Sequence, residues 1–110
     1  MTVTARCLLE SKHAENAQTS QYTASGVKTI VDKFTGYNGT AGAVTLTVNI
    51  VASGGAAGAS NVKVAKSLAA GETYTFPELV GHILNTGDFI STLASAATSI
   101  VIRASGREIT

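Results

Sequence analysis

The chain has no tryptophan, one proline and one cysteine in 110 residues, and only 14% of its residues are charged. Each scarcity excludes something. The lone thiol, Cys7, cannot close an internal disulfide, so this is not the cysteine pattern of a small disulfide-stapled secreted domain. No run approaches the roughly 20 apolar residues of a membrane helix. The segment Met1–Glu10 lacks the basic stretch and apolar run of roughly 7–15 residues that mark a signal peptide, so synthesis and folding in a reducing cytoplasm are expected. Net charge is +1 and the basic residues are scattered, Lys63 and Lys66 being the closest pair. A nucleic-acid surface needs a basic stripe, and none is visible. The surface must instead be built from Thr, Ser, Asn, Gln, Ala and Gly, which repel a neighbour weakly.

What is present is alternation with a period of two. Val44, Leu46, Val48 and Ile50 interleave with Thr45, Thr47, Asn49 and Val51, the clearest strand in the chain. Residues 27–35 read as a second strand in which Ile30 and Phe34 share a face and Asp32 interrupts it. Val62–Leu68, Thr73–Phe76, Phe89–Ser95, Thr98–Ala104 and Val3–Leu9 complete the set, the stretches at 89–95 and 98–104 reading as a pair, with Tyr22 marking a short extra strand. β-Branched residues are plentiful throughout, as half-buried pleated surfaces favour. Asn38-Gly39 is a hairpin signal, and Ser53–Asn61, Ala69–Glu72 and Asn85–Asp88 read as turns or loops. A chain of this size buries roughly two-thirds of its unfolded surface, enough for one core. The expected fold is all-β, a small antiparallel sandwich or barrel of seven to eight short strands in one domain over 1–110. Two segments resist. Residues 11–21, which include Lys12, His13 and Glu15, are polar and aperiodic and read as an arm or long loop. Pro77–Leu84 fits one helical turn or an irregular strand.

The inventory for chemistry is thin: two histidines, seven carboxylates and one thiol. Cys7 lies in an apolar alternation and reads as a buried structural thiol. His82, Asp88 and Ser91 are the best hydrolytic set, but no nucleophile elbow surrounds Ser91. His13 and Glu15 are too few ligands for zinc. The Ser53–Gly58 loop lacks the Lys-Ser/Thr ending of a phosphate loop. Tyr22, Tyr37 and Tyr74 are too dispersed to mark a sugar platform clearly. The expectation is a binding protein without catalytic site, metal or cofactor. Its candidate contact residues are Lys12, His13 and Glu15 in the arm, Tyr37 and Asn38 at the turn, and Arg107, Glu108 and Ile109 near the end.

The C-terminal half carries a recognisable series: Leu68, Gly71-Glu72-Thr73, Phe76-Pro77-Glu78-Leu79-Val80, Leu84, Gly87-Asp88, Ile90, Ala94-Ser95, Ala97, Ser105-Gly106 and Glu108. With Ile30–Thr35 and the strand at Val44–Ile50 upstream, it resembles the small decoration (cement or staple) proteins of short-tailed, epsilon-type tailed bacteriophages. That resemblance implies a jelly-roll-like sandwich, often paired, on the outer capsid surface of the virion. It implies the major capsid protein as partner and reinforcement of the shell as the task. Tail, neck or fibre-associated β modules share the pattern, and a carbohydrate-binding module is the alternative outside the virion.

Overall fold

A computed structural model describes residues 1–110 and shows an all-β protein of two antiparallel sheets. Its nine strands are β1 (Val3–His13), β2 (Thr19–Thr23), β3 (Lys28–Asn38), β4 (Val44–Val51), β5 (Val62–Leu68), β6 (Thr73–Tyr74), β7 (Ile83–Leu84), β8 (Phe89–Ala94) and β9 (Ile100–Ile109). One sheet has the order β1-β9-β3-β6, with β7 also on β3; the other runs β2-β8-β4-β5. The pairing is nested. The first strand lies beside the last, β2 beside β8, β3 beside β6 and β7, and β4 beside β5. The chain is in effect one long hairpin folded over on itself.

This topology changes two sequence expectations. The stretches at 89–95 and 98–104 read as a pair, yet β8 and β9 lie in different sheets. The Asn38-Gly39 turn is likewise no hairpin but a crossover from β3 to β4. Strand periodicity identifies strands and is silent on which of them are neighbours.

The β4 alternation is realised from Val44 to Val48, with Val44, Leu46 and Val48 buried; beyond it Asn49 and Val51, read on the opposite face, are buried too, and Ile50 is half-buried against the core. β3 departs from its reading. A β-bulge at Asp32 sets two residues against one of β9 and reverses the alternation beyond it. Val31 and Phe34 therefore share the core face, and Ile30 turns outward. The polar stretch after Ser11 is also more ordered than an arm or long loop. β1 continues to His13 and β2 begins at Thr19, leaving five connecting residues. Backbone bonds from Ala14 N–H to the Ile100 carbonyl (2.8 Å) and from Ala94 N–H to the Glu15 carbonyl (3.0 Å) fasten that crossover to both sheets. Its strands escaped detection because β1 is an edge strand with two register shifts, which erase the period of two.

Pro77–Leu84 proves to be both things its sequence allowed. A 3-10 turn over Pro77–Leu79 precedes the two-residue β7. At its start Phe76 adopts φ 44°, the left-handed region. That costs about 1–2 kcal/mol for an L-residue. The ring is wholly buried and meets Phe34 edge-to-face at 5.2 Å. Burial of such a side chain contributes about 1.5–3 kcal/mol, which offsets the strain. The same ring lies over Gly36, where a β-carbon would stand 2.8 Å from it.

Candidate binding face

β9 organises the outer surface of the five-stranded sheet. Its even-numbered residues from Ile100 to Gly106 are buried, so Val101, Arg103, Ser105, Arg107 and Ile109 face away from the core. Cross-strand partners share a face. On β3 these are Tyr37, Thr35, Lys33, Ile30 and Lys28; on β1 they include His13, Cys7, Ala5 and Val3. Two shallow depressions, of about 390 Å³ and about 370 Å³, run along this face and share Arg103 and Ser105. The first is lined by Ser11, Lys33, Thr35, Tyr37 and Val101; Arg6, Cys7 and Asp32 border the second.

The eight candidate contact residues divide into three groups. Tyr37, Arg107, Ile109 and His13 lie on or beside this face. Tyr37 is 44% exposed at one end of the larger groove. Arg107 is clamped by Asp32, Nε meeting Oδ2 at 3.0 Å and an η-nitrogen meeting Oδ1 at 2.9 Å. Those hydrogen bonds hold the Asp32 carboxyl below the usual carboxylate range. The bulge matters here, because the extra residue it inserts is Asp32 itself.

Lys12 and Glu15 form the second group. Lys12 Nζ donates to Glu15 at 2.9 Å, and Gln21 donates to the other carboxylate oxygen at 2.9 Å. Lys12, and then Gln21, lower the Glu15 pKa. These side chains close the β1–β2 crossover on itself. An exposed pair of this kind contributes about 0–1 kcal/mol, so it shapes the connector more than it stabilises the fold.

Asn38 and Glu108 form the third group and face inward, contrary to expectation. Asn38 is fully buried. Its Nδ2 donates to the carbonyls of Gly42 (2.8 Å) and Leu68 (3.0 Å), and its Oδ1 accepts from the Thr40 backbone N–H (3.0 Å) and hydroxyl (2.7 Å). The side chain thus supplies the turn that a hairpin backbone does not, and it ties the crossover to the end of β5. Glu108 reaches between the sheets. It accepts from the Tyr22 hydroxyl at 2.6 Å and from Arg6 at 3.2 Å, while Tyr22 shares a 2.6 Å hydrogen bond with Thr29. Burial, and then the adjoining Glu108, push the Tyr22 phenol pKa up.

The other residues considered for chemistry take separate partners. Ser91 accepts from Gln18 and donates to the Thr19 carbonyl, while Asp88 accepts from the backbone N–H groups of Ser53 and Asn85. No three His, Cys, Asp or Glu side chains converge as metal ligands would. The tyrosines point three ways: Tyr22 to Glu108, Tyr74 to Glu78, Tyr37 to the outer face. Cys7 is half-buried on the outer face opposite Ser105, its Sγ 3.7 Å from the Ala104 carbonyl, and not enclosed in the core as its alternation suggested.

Lys33, Thr35, Arg103, Ser105 and Cys7 were missed as members of this face. Outward parity along residues 101–109 was readable, and extending it would have found Arg103. Lys33 lies beyond the bulge, where simple alternation fails.

No family model and no curated protein matches the chain. Solved structures do. A chain from the disulfide-linked pili formed by Bacillus endospore appendages matches 99% of this chain and 88% of its own length, at 17% identity and a TM-score of 0.52. A chain from the Gt strain of infectious bursal disease virus matches 98% of this chain but 33% of its own, at 10% identity and a TM-score of 0.45. The Gx strain of that virus gives 14% identity, 97% and 30% coverage, and a TM-score of 0.44. What the chain has in common with the pilus protein is its β fold.

Proposed function

We propose that this protein is a structural component of an assembled particle, and specifically a decoration protein that docks on the outer surface of a phage capsid and reinforces contacts between major capsid proteins. The observation that carries this reading is the outer face of the five-stranded sheet, which is broad, shallow and chemically mixed. A catalytic or small-ligand protein concentrates its polar groups in a deep, largely apolar pocket. Here cations, hydroxyls, Tyr37 and the apolar Ile30, Val101 and Ile109 are spread along β3 and β9. The molecule measures 46 × 26 × 19 Å, so its broad side accommodates the roughly 800 Å² per partner of a standard interface. Low charge suits a protein repeated in many copies, because repulsion between neighbours stays small. A binder that prefers the assembled lattice to loose subunits stabilises the shell by mass action. The nested strand order supports the phage resemblance too: with β6 and β7 taken as one interrupted strand, we read it as a jelly roll of eight strands. Pairing of copies on the capsid belongs to the same proposal.

Sedimentation with undecorated, expanded phage capsids tests the reading. Saturable co-sedimentation at a fixed ratio to the major capsid protein is expected. Recovery of all the protein in the supernatant at every concentration would overturn it.

A second reading is favoured by the fold shared with a pilus protein: a fibre or tail-associated subunit that assembles with its own copies. Negative-stain images of disrupted particles separate the two, with label on shell faces in one case and at the tail vertex in the other.

A further inference from the structure

We propose that the groove over β1, β9 and β3 receives an extended acidic segment of the partner protein, its carboxylates meeting Lys33 and Arg103. The inference rests on the reading of this face as the docking side, and it names the chemistry of what docks there.

Lys28, Lys33, Arg103 and Arg107 all project from the outer face, against Asp32 and Glu10. Arg107 is neutralised by Asp32. Arg103 has only a 3.9 Å contact to Glu10, whose side chain is 82% exposed. Lys33 makes no ion pair or side-chain hydrogen bond. The groove therefore holds two cations with little intramolecular satisfaction, beside the hydroxyls of Ser11, Thr35 and Ser105.

The negative charge is best supplied by a different protein. The chain's other carboxylates are already engaged: Glu15 by Lys12, Asp32 by Arg107, Glu72 by the Ala69 N–H, Glu78 by Tyr74, Asp88 by two backbone N–H groups and Glu108 by Tyr22 and Arg6. Without breaking its own contacts a second copy can offer only Glu10, one carboxylate for two cations; a different protein is not so limited.

Lys33 stands opposite Ser105, and Arg103 opposite Thr35, so the two cations are diagonal neighbours on adjacent strands. Such neighbours lie about 7–8 Å apart. In an extended peptide, side chains two residues apart share a face at about 6.6 Å. A segment with acidic residues at alternate positions therefore presents one carboxylate to each cation. Tyr37, at the end of the groove, offers an aromatic surface to the residue beyond.

Two measurements test this. In the first, a synthetic peptide of alternating Glu and Thr is titrated into isotopically labelled protein, with a Lys-Thr peptide as comparison. Amide shifts confined to Lys33, Thr35, Arg103 and Ser105 are expected, weakened about tenfold by 0.5 M salt and absent with the basic peptide. Shifts elsewhere, or none, would overturn the proposal. In the second, Lys33→Glu/Arg103→Glu is compared with Lys63→Glu for co-sedimentation with capsids, native folding of each being checked by circular dichroism. The double variant is expected to bind at least about tenfold more weakly, and Lys63→Glu to bind as the parent does. Equal binding by the folded double variant would refute the groove while leaving the capsid reading intact. Localised peptide shifts without any capsid binding would refute the capsid reading while leaving the groove.

Discussion

Asn38→Asp is expected to lower stability by about 3–5 kcal/mol at pH 7, because it buries a charge where a donor is required. The two residues are nearly the same size, so packing is unaltered. What changes is the hydrogen-bond inventory. The Asn38 amide faces the carbonyls of Gly42 and Leu68, with that of Ala69 at 3.3 Å. An ionised carboxylate has no proton to give them and repels all three. Domains of this size are stable by about 5–15 kcal/mol, so the loss is a large part of the whole. It corresponds to a fall in Tm of roughly 12–25 °C. The direction with pH is also set. The new carboxyl has a folded-state pKa above its unfolded one, since only the protonated form can donate. Relative to the parent, the variant should therefore recover as pH falls from 7 toward 4 and lose more as pH rises through that window. Thermal unfolding across that range checks both parts. A variant as stable as the parent at pH 7, or one whose deficit grows on acidification, would show that Asn38 does not hold the crossover.

Gly106→Ala is expected to cost about 3 kcal/mol, near the upper end for overpacking by one methyl. A β-carbon there would lie 2.1 Å from the Ile30 carbonyl oxygen and 3.0 Å from Leu8 Cδ1. Leu8 can rotate away; the backbone oxygen cannot. Gly106 pairs with Val31, immediately before the Asp32 bulge. The added methyl must push the strands apart or move the bulge. Gly42→Ala serves as the control, because a β-carbon there meets nothing within 4 Å. That change should be neutral or stabilise by about 0.4–1 kcal/mol through the unfolded chain. Chemical denaturation of the pair measures the contrast, and similar midpoints for the two variants would contradict the close approach.

Both positions show where strand periodicity stops being informative. It carried β4 from Val44 to Val48, a run that lies between two neighbours, and lapsed beyond the register shift against β5, where Asn49 and Val51 are buried. It failed at Asp32, because one inserted residue exchanges the two faces of a strand. It failed for β1 beyond Ser11, an edge strand whose shifts break the pattern. It also read Asn38 as the start of an exposed turn. Asn-Gly is that signal when flanking strands pair, and whether they pair is decided by the fold of the whole chain. The proposed docking face was half legible for a similar reason. Tyr37 stands beside a turn and Arg107 and Ile109 near the chain end, positions legible in the sequence, and they share a face. Lys33 and Arg103 are 70 positions apart and become partners only when β3 is placed beside β9. Glu108 was misjudged as a surface charge because its partners, Tyr22 and Arg6, stand far away in the chain.

In the proposed role the outer face of the five-stranded sheet is the side covered in the assembled particle. Cys7 is a natural reporter, being the only thiol and lying half-exposed beside the groove. Maleimide labelling of the native protein, free and bound to capsids, measures whether that face is covered. Slow but complete labelling of the free protein and strong protection of the bound form are expected. Labelling at the same rate in both states, with binding verified in the same sample, would contradict it.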